Sequence, residues 1–148
     1  MSTHDHPAAK LLMKFFAEMH SWEAAAARRE NAFDWENSTE SDYDELTVQE
    51  REEVAHIFER FCEVGRLACR LQEGGMSLSL DEPHYNPEKE SIESFEESND
   101  VVVIETKQAH HHRFYYRYEL VRVGDEWRIR DNKKYAVTKG SSWTEDIL

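Results

Sequence analysis

Imidazole is the commonest transition-metal ligand, so the run His110-His111-His112 is the first place in this chain to look for chemistry. A metal centre needs three or four converging donors. Neighbouring side chains on a strand point to opposite faces, so only His110 and His112 can share an ion, and no HxxxH or CxxC accompanies them. Followed directly by Arg113 and Phe114, the run reads as a solvated loop entering a strand, and no metal or other cofactor is expected. Cys62 and Cys69 stand on what reads as one helix, roughly 10 Å apart at about 1.5 Å per residue, too far for a disulfide. They are expected to be buried or partly buried thiols of a reducing compartment. GxSxG, a phosphate-cradling glycine loop and HExxH are all missing, so acyl transfer, nucleotide use and zinc proteolysis have no support. Arg113, Arg117, Arg122, Arg128 and Arg130 would stand on the outer face of a sheet, where pairing with Glu105, Glu119 and Glu126 across strands is expected.

Charge narrows the partners. The net charge of −13 is concentrated: residues 30 to 100 hold 21 acids and 5 bases, and the rest of the chain 10 acids and 13 bases. Such a field repels nucleic acid and anionic membrane and steers a basic partner in. No stretch reaches the roughly 18 apolar residues that span a bilayer, and the polar start from Met1 to Lys10 lacks the apolar run of an export signal. A cytoplasmic protein is the expectation.

The elements that must position these residues follow from hydrophobic period. At 148 residues, with 39% hydrophobic residues, one domain over 1–148 around one core is expected. Leu11, Leu12, Phe15, Phe16, Met19 and Trp22 recur at helical spacing behind Pro7 and predict a helix over about 7–29. Residues 31–45, rich in turn formers and acids, predict a loop. Thr47-Val48-Gln49-Glu50 is a capping-box pattern, and the apolar period that follows predicts a helix over about 47–72, ended by Gly74-Gly75. The period then changes to two, predicting a sheet over about 76–135. Its strands include Met76–Leu80, Ser91–Ser98, Val101–Lys107, a long one alternating Phe114, Tyr116, Tyr118 and Leu120, and Trp127–Arg130 after a Gly124-Asp125 hairpin turn. The tail 136–148 is expected to be irregular.

Helices first and an antiparallel sheet second make an α+β chain. From about Thr47 to Leu148 it resembles the immunity proteins of bacterial polymorphic toxin systems that adopt the fold of nuclear transport factor 2 (NTF2). The carrying residues are Tyr85-Asn86-Pro87-Glu88-Lys89-Glu90 with Ile92, Thr106-Lys107-Gln108, Tyr116-Arg117-Tyr118-Glu119-Leu120, Gly124-Asp125-Glu126-Trp127-Arg128-Ile129 and Lys133-Lys134-Tyr135. The resemblance implies an NTF2-like cone, with N-terminal helices packed on a strongly curved antiparallel sheet. It also implies a protein that binds and neutralises a cognate toxin made by the same cell. Toxins of this kind are often nucleases with basic surfaces, which the acidic middle of this chain would suit. Binding residues in the family vary with the toxin, so none is carried over, and relatives of the fold leave a homodimer through the sheet open.

The contact surface is expected among the acids of Glu36–Glu45 and Asp81–Asp100, with Asp42, Tyr43, Asp44, Glu45, Tyr85, Glu96 and Glu97 as candidates and Phe95 as a further aromatic anchor. Phe114, Tyr116, Tyr118 and Trp127 are expected to line the cone. The alternative is an NTF2-like small-molecule binder, or an isomerase or dehydratase using that cone. It requires a base whose pKa is raised by burial, and Glu105 and Glu119 are the only carboxylates expected inside the meander of Val101–Lys107, Phe114–Leu120 and Trp127–Arg130.

Overall fold

The computed structural model describes residues 5–63, 85–109, 113–130 and 133–145. Helix α1, Pro7–Ala32, begins where its sequence invites it: Pro7 needs no amide partner, and the His6 imidazole accepts the Ala8 N–H at 3.1 Å as the N-cap. One stripe of α1, with Ala8, Leu12, Phe15, Phe16 and Met19, is buried. The helix continues three residues past the predicted end, to Ala32.

Helix α2, Glu40–Phe61, departs from expectation at both ends. Its capping box is Thr39 with Asp42: the Thr39 hydroxyl accepts the Asp42 N–H at 3.2 Å, and the Asp42 carboxylate accepts the Thr39 N–H at 2.8 Å. Two capping-box patterns compete, and the earlier one wins because no Gly or Pro between them stops a helix that costs little to lengthen once nucleated. Thr47 consequently lies inside the helix, its hydroxyl donating to the Tyr43 carbonyl, and the predicted loop over 31–45 shrinks to 33–39. At the other end Cys62 is an extended C-cap that bridges to Ile129, so it is not the helical residue predicted. Cys69, Gly74-Gly75 and the predicted Met76–Leu80 strand lie outside the described residues.

Six strands are described: β1 Glu90–Ser98, β2 Val101–Gln108, β3 Tyr115–Val123, β4 Glu126–Ile129, β5 Lys134–Ala136 and β6 Thr144–Glu145. All pairings are antiparallel, in the order β1-β2-β3-β5-β6, with β4 also on β3. One edge of β3 carries β2 along most of its length. The other is divided, with β4 on Leu120–Val123 and β5 on Tyr115–Arg117, and this division accompanies the bend of a curved, open sheet. A register shift between Ile92 and Ser94 bends β1 as well. Gly124, at φ +64°, leads the two-residue turn into β4. The tail departs from the expected irregularity, since β6 adds to β5 and the Arg117 guanidinium lies 4.7 Å from the Trp143 ring centroid.

The inner face of the sheet, with Val102, Ile104, Tyr116, Tyr118, Leu120 and Ile129, meets α1 and the α2 residues Val54, Ile57, Phe58 and Phe61 in one apolar core. Burying a side chain such as Phe15 or Leu12 contributes about 1.5–3 kcal/mol. The fold is α+β.

Candidate functional site

The end of α1 and the start of α2 meet at a corner that gathers the candidate acids. Asp34 organises the short connection by accepting the Glu36 and Asn37 amides. Phe33, Trp35 and Tyr43 then pack on one another, with ring centroids 4.7, 4.8 and 5.4 Å apart, although Trp35 remains 63% exposed. Beside them opens a cleft of about 460 Å³ whose walls include Arg29, Phe33, Asp34, Asp42, Glu45 and Leu46. Residues 30 to 50 contain eight acids and neither Lys nor Arg. Tyr43 is half-buried; Asp44 and Glu45 are exposed, and the exposed Asp42 is engaged by the Thr39 cap.

Beneath this surface, polar groups tie the helices together. Arg29 donates to both oxygens of Glu53. Glu50 is only 1% exposed, and the Glu30 carboxyl beside it favours a proton kept between the two. Burial first, then Glu30, pushes Glu50 up to about 7, while Arg29, 3.9 Å away, opposes the shift. The Tyr43 hydroxyl is raised, chiefly by burial and then by the Glu30 charge.

The second set of candidates lies elsewhere. Glu96 and Glu97 are exposed on β1, the end strand of the sheet among the described residues, and the Glu97 carboxylate meets the His6 Nε2 at 2.8 Å. The His6 ring also packs on Phe95 and Trp127, at 4.9 and 5.4 Å. His6 caps the start of α1, whereas the corner sits at its end, so these 26 helical residues separate the two patches by about 39 Å. They do not form one site.

Tyr85 does not belong to a contact surface. It is 5% exposed, packs on Phe15 and Phe16, and has its backbone held from α1: its N–H donates to Glu23 at 3.1 Å, and His20 Nδ1 donates to its carbonyl at 2.9 Å. The hydrophobic partners that bury it come from the other end of the chain, which local sequence does not reveal.

The expected cone residues divide. Tyr116 and Tyr118 are buried, and Phe114 stacks on Tyr135 near them. Trp127 pairs with Arg122, six residues along β3 from Tyr116, or about 20 Å away, so the four do not converge. Around the tyrosines lies a polar constellation that sequence reading missed. Buried Lys133 places its Nζ 4.5 Å from the Tyr116 centroid, 4.8 Å from that of Tyr85 and 5.5 Å from that of Tyr118. Buried Glu90 accepts the Thr106 hydroxyl at 2.8 Å and Gln108 Nε2 at 3.3 Å; burial raises its carboxyl, opposed by Thr106, Lys133 and Gln108. Glu90, the first residue of β1, is therefore a strand carboxylate turned into the core. Its signal was the polar pair Thr106 and Gln108, continuing the inward alternation of Val102 and Ile104 and so requiring polar partners inside.

On the outer face, Arg117 pairs with Glu105 and Arg130 with Glu119 as expected, whereas Arg128 pairs with Glu126 along its own strand and Arg122 with Asp100. No three His, Cys, Asp or Glu residues converge as a metal site among the described residues, and His110-His111-His112 lie outside them.

A family model described as NTF2 fold immunity protein matches residues 7–146. The chain belongs to this family of immunity proteins. The match begins at α1, so it takes in the first helix and the corner, which the resemblance from Thr47 onwards left outside. No curated protein and no solved structure matches the chain. An immunity protein has a toxin as its partner in general, and the family points to binding and not to turnover. No helix among the described residues is long and apolar enough to cross a membrane.

Proposed function

We propose that this chain is a single-domain cytoplasmic inhibitor that neutralises one cognate, intracellularly acting toxin, such as a nuclease, by forming a stoichiometric complex. The observation that carries this reading is the run of eight acids without Lys or Arg over residues 30 to 50, in a chain of the immunity family. A basic toxin surface is the complement of that field, and charge complementarity speeds encounter and excludes wrong partners. Asp42, Tyr43, Asp44 and Glu45 belong to the face that meets it, while Tyr85 serves the core. The test is co-expression with the toxin domain encoded beside this chain. A one-to-one complex without toxin activity is the expected result; separate elution with the toxin still active would refute the reading.

The buried Glu90, Lys133 and tyrosine constellation favours a second reading, a small ligand held in the cone, because a carboxyl raised by burial is what proton transfer uses. Thr106 and Gln108 already occupy that carboxylate, which weighs against it. A thermal-shift screen of small carbonyl compounds and acids separates the two readings: stabilisation lost in Glu90→Gln would favour the cone.

A further inference from the structure

We propose that the corner between α1 and α2 is the toxin-docking socket, in which Trp35 is the anchor and the adjoining cleft receives an arginine or lysine side chain from a projecting loop of the toxin. This deepens the immunity reading and rests on it. Three observations carry it together. Trp35 is the largest exposed apolar side chain among the described residues, and it stands next to Phe33 on the wall of a cleft. It is nevertheless held in place by Phe33 and Tyr43, which also pack on each other, so the anchor is ordered before a partner arrives. Exposed, pre-ordered tryptophans beside a concavity are the kind of residue that dominates interface energetics.

The cleft supplies the chemistry of the occupant. It opens beside Phe33, and Asp34 and Glu45, both exposed, stand on its walls, with Arg29 turned to Glu53 on α2. A long cationic side chain entering there gains two carboxylates and can lay its charge against the Phe33 ring, which Trp35 backs. A second copy of this chain would bring a second acidic corner against the first, so the occupant is a basic partner and not a homodimer mate.

The experiment measures binding of the neighbouring toxin domain to the full chain by calorimetry and stopped flow, after thermal melts show that each variant folds. Trp35→Ala is expected to weaken the complex by about 30-fold or more, and Asp34→Lys with Glu45→Lys to slow association about tenfold at low salt. Glu93→Lys with Glu96→Lys, which changes the charge equally on β1, should stay within about threefold of wild type in affinity. If wild type binds and neutralises while the corner variants match it, or if the β1 variant loses as much, the socket is wrong although the immunity reading stands. If wild type itself does not bind, the immunity reading falls and takes the socket with it.

Discussion

Glu50 shows how one residue can carry a pH dependence into the whole chain. Its folded pKa, about 7, lies above the ordinary 4.5, so the folded state holds a proton that the unfolded state gives up. The associated stability is full below about pH 4.5 and is lost as pH rises toward 7. Glu18 and Glu53, lowered mainly by their hydrogen bonds to Arg60 and Arg29, act in the opposite sense, losing their contribution as pH falls below the ordinary carboxylate range. Glu50→Gln keeps the neutral shape and removes the titration. It should raise the melting temperature at pH 8, by a free energy on the order of 1–3 kcal/mol, and leave it nearly unchanged at pH 4.5. An equal effect at both pH values in paired thermal melts would show that the shared proton is not what matters. Lys133 makes a different demand, since its ammonium is buried among three tyrosines near Glu90. Lys133→Met leaves a buried carboxyl without its counter-charge, and denaturant titration should record a loss on the order of 3 kcal/mol.

Helix α2 offers the clearest comparison of local pattern with realised structure. Thr39 and Thr47 each open a pattern that can cap a helix, but only Thr39 does so. Thr39→Ala should therefore cost about 1 kcal/mol, whereas Thr47→Ala, in the helix interior, should change stability by less than about 0.5 kcal/mol. The reverse ranking in urea titrations would restore the later start. The early start has a structural consequence beyond length. It puts Tyr43 on a helix one turn from the cap, where it reaches Phe33, Trp35 and Glu30 at once. In the sheet, the Gly124 turn is set by its backbone: with φ at +64° and open space where a side chain would go, Gly124→Ala should cost about 1 kcal/mol from strain alone.

For the molecule as a whole, charge is the long-range quantity. A net charge of −13, gathered in the middle of the chain, predicts toxin association that depends strongly on ionic strength. Raising salt from about 0.01 M to about 1 M shortens the screening length from about 30 Å to about 3 Å, and the association rate should fall at least tenfold while dissociation changes little. A rate indifferent to salt in stopped flow would remove electrostatic steering from the mechanism. The two acidic patches, about 39 Å apart along α1, make the result mappable. A compact toxin loop meets one patch and not both, so charge reversal at the corner and at β1 should give separable effects.

Much of this was legible in the sequence, and the boundary is physical. Hydrophobic period is encoded by neighbouring residues, so the first helix, the alternating strands around Val102–Leu120, the glycine-led hairpin and the α+β order could be read directly, as could the acidity of the middle segment. Quantities that depend on which distant surfaces meet could not be read. Tyr85 looks like an anchor in its Pro-rich surroundings and becomes core because Phe15 and Phe16 arrive from α1. Glu90 and Lys133, 43 positions apart, become neighbours only because β1 and β5 share one concave sheet. Trp35 shows the converse, an apolar residue left outside because its partners Phe33 and Tyr43 are themselves at the surface corner. Local sequence determines which element each residue joins, but burial is a property of the assembled faces, and the tertiary structure alone decided which acids and aromatics were left for a partner.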